Sequence, residues 1–164
     1  MEHDAAAAWP LFLALQESAL GHAMRAAPML YPAVEILHIL GIVALVGAML
    51  ALDLRLLGIG RSVAIQPAAA LLLPLARGGF VLAVVMGFLL FSADAAHVIG
   101  NPAFQAKLLL IAAALINILV AHLGPWRRLA FWQADAPAGA KATAFASLLL
   151  WLGAVVAGRL IAYF

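Results

Sequence analysis

The chain has no cysteine. Disulfides, thiolate metal sites and cysteine nucleophiles are therefore excluded, and thiols give no mark of the redox compartment. Charge is scarce as well: Asp, Glu, Lys and Arg make up 10% of the 164 residues, less than half the share of about 25% usual in soluble domains. The net charge is only +2, and no basic run interleaves with aromatics, so nothing marks a nucleic-acid partner. No nucleophile triad, phosphate-binding glycine loop or HExxH pattern occurs, which leaves hydrolytic and nucleotide-driven chemistry without a carrier. A basic leader is missing too; Glu2 and Asp4 stand near the start, which reads as an N-terminus that is retained.

What the chain has in quantity is hydrocarbon, with 68% of residues hydrophobic. A soluble fold of this size needs polar outer faces on its helices and could not hide so much apolar surface. Four stretches approach the roughly 20 residues needed to cross a bilayer, predicting helices over about residues 32–57, 78–96, 102–122 and 143–163. Asn101-Pro102 opens the third as N-cap and first turn, and Gly124-Pro125 closes it. Trp9 to Ala26 places Ser18, Gly21, His22 and Arg25 along one side of an otherwise apolar segment, the pattern of a helix lying on a membrane surface. Gln66 to Leu75 carries Pro67 and Pro74 and reads as an interfacial lead-in to the second helix; Trp132 to Lys141 reads as a loop.

The expected fold is thus an all-α membrane protein, a four-transmembrane-helix bundle (residues 31–164) preceded by a tail and an interfacial amphipathic helix (residues 1–30). Trp9, Trp126, Trp132 and Trp151 read as interfacial anchors. Arg55, Arg61 and Arg77 flank one loop, and Arg127, Arg128 and Lys141 lie in another on the same side. The positive-inside rule makes that side cytoplasmic and puts both termini on the periplasmic side of a bacterial inner membrane.

Charges inside apolar helices are costly and ask for an explanation. Glu35 and His38 share a face of the first helix, with Gly41 one turn deeper. By rise per residue, His38 lies about 9 Å in from Pro32, and Lys107 lies roughly 7 Å along the third helix. His97 leaves the second helix on the same side, and Arg159 sits near that end of the fourth. Imidazole is a common axial ligand of haem iron, so the cluster reads as a cofactor pocket. In it His38 ligates iron and Gly41 leaves room for a flat macrocycle. Lys107 and Arg159 meet propionates, Glu35 orients Lys107 or His38, and His97 is the foremost second ligand, with Met86, Lys107 itself or an open five-coordinate site as the alternatives. The structural alternative is a Glu35–Lys107 ion pair that fixes helix packing, with His38 hydrogen-bonded beside it. His122, about 20 Å deeper than His38, cannot share its iron and reads as an interfacial residue. Asp53, Arg55 and Arg77 read as an ion-pair cluster at the headgroups, and Asn117 as a polar contact between helices.

Several segments carry a resemblance: Glu35-Ile36-Leu37-His38, Asp53-Leu54-Arg55-Leu56-Leu57-Gly58, Asn101-Pro102-Ala103-Phe104 with Lys107, and Gly158-Arg159-Leu160-Ile161-Ala162-Tyr163. They resemble a family of small four-helix bacterial inner-membrane proteins without an assigned activity. More distantly, the chain is similar to HemJ-type protoporphyrinogen oxidases, through His38, Leu54-Arg55-Leu56, Lys107 and His122. That similarity implies haem b bound through His38, with Lys107 near the porphyrin. Glu35 departs from the HemJ pattern, as does the absence of a Trp-rich first helix and of a basic, proline-containing ending. CopD-type copper-resistance proteins also use a first-helix histidine. The resulting expectation is a haem-b-binding protein, in electron transfer or redox chemistry with a quinone or porphyrin. The alternatives are a copper or proton transport protein using Glu35, His38 and Lys107, and a structural subunit of a homo-oligomer or membrane complex.

Overall fold

The computed structural model describes residues 10–132 and 135–164. Glu2, Asp4 and Trp9, on which the retained N-terminus and the start of the amphipathic helix rest, lie outside the described residues. The elements are α1 (residues 10–16), α2 (Ala19–Ala26), α3 (Leu30–Leu56), α4 (Ile65–Ala93), α5 (Ala95–Val98), α6 (Pro102–Leu123) and α7 (Ala138–Leu160). Short 3-10 segments cover Pro125–Phe131 and Ile161–Tyr163. No strand occurs among the described residues.

Helices α3, α4, α6 and α7 are long and apolar enough to cross a membrane, and no more than 28% of any of these stretches is buried within the bundle. The remainder turns large aliphatic side chains outward: Val43, Leu109, Ile116 and Val156 are all more than half exposed. Such a surface requires lipid around it, and the chain is a multi-pass membrane protein.

The bundle is two antiparallel hairpins, α3–α4 and α6–α7, joined along α3 and α7. Small residues set the first hairpin. A Cβ added at Gly41 would come within 2.6 Å of the Ala83 nitrogen, and one at Gly79 within 2.5 Å of the Leu45 nitrogen. Two helix backbones approach this closely only where side chains are nearly absent. The turn after α3 is a Schellman ending: Gly58 N–H donates to Arg55 O and Ile59 N–H to Leu54 O, with Gly58 at φ 103°. Only glycine holds that left-handed position cheaply. In the second hairpin Asn101 caps α6, accepting from the amides of Ala103 and Phe104, and its own amide donates to Ile161 O on the strand of chain leaving α7. Asn117 donates to Thr143 O, tying the C-terminal part of α6 to the start of α7, as expected of a polar contact between helices.

Three boundaries differ from the sequence expectation. The second span begins at Ile65, thirteen residues ahead of position 78, and runs for 29 residues, about 43 Å. Pro67 falls in its first turn, where its missing N–H costs nothing, and Pro74 is carried inside the helix. The last span begins at Ala138 because Ala140 and Ala144 are buried against Leu52 and Leu56. The amphipathic segment breaks at Ser18, which accepts from Gly21 N and starts α2 afresh. The segment docks on the end of α4: Arg25 donates to Ala93 O, Gln16 Oε1 accepts from Ala96 N, and Phe12 meets Phe91 edge-on.

Candidate functional site

His38 is carried by α3 into the seam with α4. Its Nδ1 lies 2.8 Å from Ala83 O. A carbonyl oxygen can only accept, so Nδ1 carries the proton and Nε2 the lone pair. The ring fills the space that Gly87 leaves open, where a Cβ would sit 2.8 Å from His38 Cε1. Position and tautomer are therefore both fixed by α4. Ligating histidines are commonly oriented in this way, through a hydrogen bond from the other ring nitrogen to a backbone carbonyl.

The other expected residues distribute unevenly around it. Glu35 and Lys107 lie within electrostatic reach of the imidazole, but the ion pairs among the described residues include neither of them, so no Glu35–Lys107 bridge fixes the packing. Lys107 is half-buried and lies over Gly158 of α7, its Nζ 3.6 Å from where a Cβ would be. Glu35 is exposed. Arg159 is also exposed; it donates to the Tyr163 hydroxyl and lies 5.0 Å from that ring's centre, turned away from the bundle. His97 sits beyond the end of α4, mostly exposed, with Nδ1 3.3 Å from Asp94. Gly87, which holds the His38 ring, is six residues before the end of α4, a rise of about 9 Å, so His97 is not brought to His38. The space beside Gly41 is taken by the backbone of α4, leaving no room for a macrocycle there. Among the described residues no three His, Asp or Glu side chains converge as metal ligands.

The opposite end of the bundle holds residues whose roles the sequence did not reveal. A cavity of about 300 Å³ lies between the four spans, lined by Leu45, Asp53, Arg77, Phe80, Asn117 and Trp151 among others. Asp53 is 3% exposed and forms no ion pair with Arg55 or Arg77, in place of the expected cluster at the headgroups. Arg77 lies twelve residues inside α4 rather than in a loop. Arg55 reaches back to Val63 O in the turn. The Ser147 hydroxyl has the Asp53 carboxyl as its polar neighbour, while Asp53 Oδ2 and Trp151 Nε1 lack hydrogen-bond partners among the described residues. Trp151 is a core residue rather than an interfacial anchor, packed edge-on against Phe80. His122 lies on the cavity wall, stacked on Trp126, with Nδ1 bonded to Ile118 O.

Comparison with known protein families, with curated proteins and with solved structures gives no match.

Proposed function

We propose that this is a membrane redox protein that carries one haem b on His38 and exchanges electrons with a quinone or porphyrin. The observation that supports this best is the fixed tautomer of His38. Its Nδ1–H is committed to Ala83 O, so Nε2 is left as a ligand nitrogen in an apolar seam. His38 would hold the iron, and Lys107 would face an acidic group of the macrocycle. His97 does not fit as a second ligand, so the centre proposed is one held by a single protein ligand. Haem held there would supply one-electron transfer.

The bacterial inner membrane and periplasmic termini belong to the same proposal. Their support is the set Arg55, Arg61, Arg127, Arg128 and Lys141 flanking the two connections at the Asp53 end. Copper or proton transport through Glu35, His38 and Lys107 draws less support, because Glu35 is exposed and makes no ion pair with His38 or Lys107.

The test is the absorption spectrum of detergent-purified protein, oxidised and then dithionite-reduced. The proposal expects a Soret band that shifts on reduction and disappears in His38→Ala. A colourless wild type, after expression with added haem precursor, contradicts it, and so does a band that His38→Ala leaves unchanged.

A further inference from the structure

We propose that the cavity at the Asp53 end is a second site. It receives from the bilayer a lipophilic molecule whose ring head carries hydroxyl or carbonyl oxygens, of the quinol–quinone class, and holds the head through Asp53, Ser147 and Trp151. The site stands whether or not iron is held at His38.

The first argument is an imbalance of hydrogen bonding. Buried polar groups are nearly always satisfied, and a buried exception asks for a cause. Here the residues that carry such groups line one cavity: Asp53 Oδ2 and Trp151 Nε1 have no partner among the described residues, and the Ser147 hydroxyl has only the Asp53 carboxyl beside it. Asp53, Ser147 and Trp151 are only 3%, 3% and 5% exposed. One is an acceptor, one a hydroxyl that does both, and one a donor only. A ligand hydroxyl can donate to Asp53 while accepting from Trp151, and a ligand carbonyl can accept from Trp151 and Ser147. A purely hydrocarbon occupant, such as a lipid tail, leaves Asp53 Oδ2 and Trp151 Nε1 unmet.

The second argument is shape and access. A volume of about 300 Å³ is at the lower end of the range for small-molecule pockets, enough for a ring head but not for a long tail. The tail has a way out. Helices α4 and α6 each pack on a different neighbour rather than on one another, and the Phe91–Phe104 stack closes their seam at the His38 end. Further along, the cavity wall includes Val81 and Leu115, which are 60% and 42% exposed on the lipid-facing surface. The entrance is therefore through the side of the bundle, from the membrane.

The third argument is charge. Asp53 by itself would suit a lipophilic cation. Arg77 lines the same cavity, and a guanidinium there repels a cation while favouring electron-rich oxygens. A neutral ring with oxygen substituents satisfies both.

The test uses the full chain in lipid nanodiscs, titrated with a short-chain benzoquinone and with its quinol, and reads quenching of tryptophan fluorescence. Trp126 and Trp151 both line the cavity, so an occupant must quench them. The expected result is a saturable component whose affinity falls about tenfold or more in Asp53→Asn, and severalfold in Ser147→Ala. Ser147→Ala removes a single hydroxyl and retains the fold if Asp53→Asn does not. Quenching that rises linearly without saturation overturns the proposal. So does saturable quenching that both substitutions leave unchanged, which places the ligand elsewhere. Saturable binding of tetraphenylphosphonium in place of either benzoid probe overturns it in favour of a cation site.

Discussion

The two ends of this bundle are built on opposite terms. At the His38 end, α3 and α4 meet backbone to backbone at Gly41, Gly79 and Ala83, an aromatic stack closes the α4–α6 seam, and the imidazole has its Nδ1 proton engaged. At the Asp53 end the same four spans part around a cavity, and Asp53 Oδ2 and Trp151 Nε1 there go without partners among the described residues. Tight packing at one end and unmet hydrogen bonds at the other imply different uses. On the proposals above, the first end would hold a side chain rigidly for a ligand at its lone pair, and the second would keep a cavity for a molecule that enters and leaves.

The contrast can be broken most severely by adding bulk. Gly41→Leu pushes a side chain into the α4 backbone, which cannot step aside as a flexible side chain would. The expected cost is about 1–3 kcal/mol or more, seen as a lower melting temperature and loss of a monodisperse peak in detergent. Ala121→Leu adds one carbon fewer, at the cavity wall, and should cost clearly less. Equal losses at the two positions would erase the distinction between a filled end and an open one.

A smaller effect sharpens the His38 end. Asn101→Ala removes both the cap of α6 and the bond to Ile161 O, and should cost about 1–2 kcal/mol. Thermal unfolding checks the size. Hydrogen exchange should show the first turn of α6 and residues 161–163 opening together; if only α6 responds, the tie to α7 carries no weight. The smallest effect belongs to Ser147→Ala. Its hydroxyl has the Asp53 carboxyl as its only polar neighbour, so the variant should melt within about 1 kcal/mol of wild type. A marked loss of stability would mean that Ser147 is satisfied within the fold and is not reserved for a ligand.

Hydropathy made the four spans and the membrane legible, because lipid-facing helices must be apolar along nearly their whole length. Local rules were legible too: Asn101-Pro102 opened α6 and Gly124 closed it. The start of α4 was hidden by Pro67 and Pro74, which look like breaks but are tolerated at the first turn and within a membrane helix. That one misplacement put Arg77 in a loop and so concealed the cavity it lines. Asp53 was hidden for a different reason. Its burial depends on α3 pairing with α7, where Ala140, Ala144 and Ser147 close over the neighbouring turn, and no local pattern announces which helices will be neighbours. At the candidate site, Glu35, His38 and Lys107 were expected at similar depth, and Glu35 and Lys107 lie within electrostatic reach of His38. The outward turn of Arg159 toward Tyr163 and the separation of His97 from His38 depend on side-chain direction and on where α4 stops, neither of which depth along a helix specifies.

The most direct measurement is one set of absorption spectra, oxidised and dithionite-reduced, on wild type, His38→Ala, His97→Ala and Asp53→Asn purified alike. The account predicts a haem spectrum that is lost only in His38→Ala and is retained in the other two, because neither His97 nor Asp53 reaches the iron. A spectrum that survives His38→Ala, or that disappears with Asp53→Asn or His97→Ala, would contradict it.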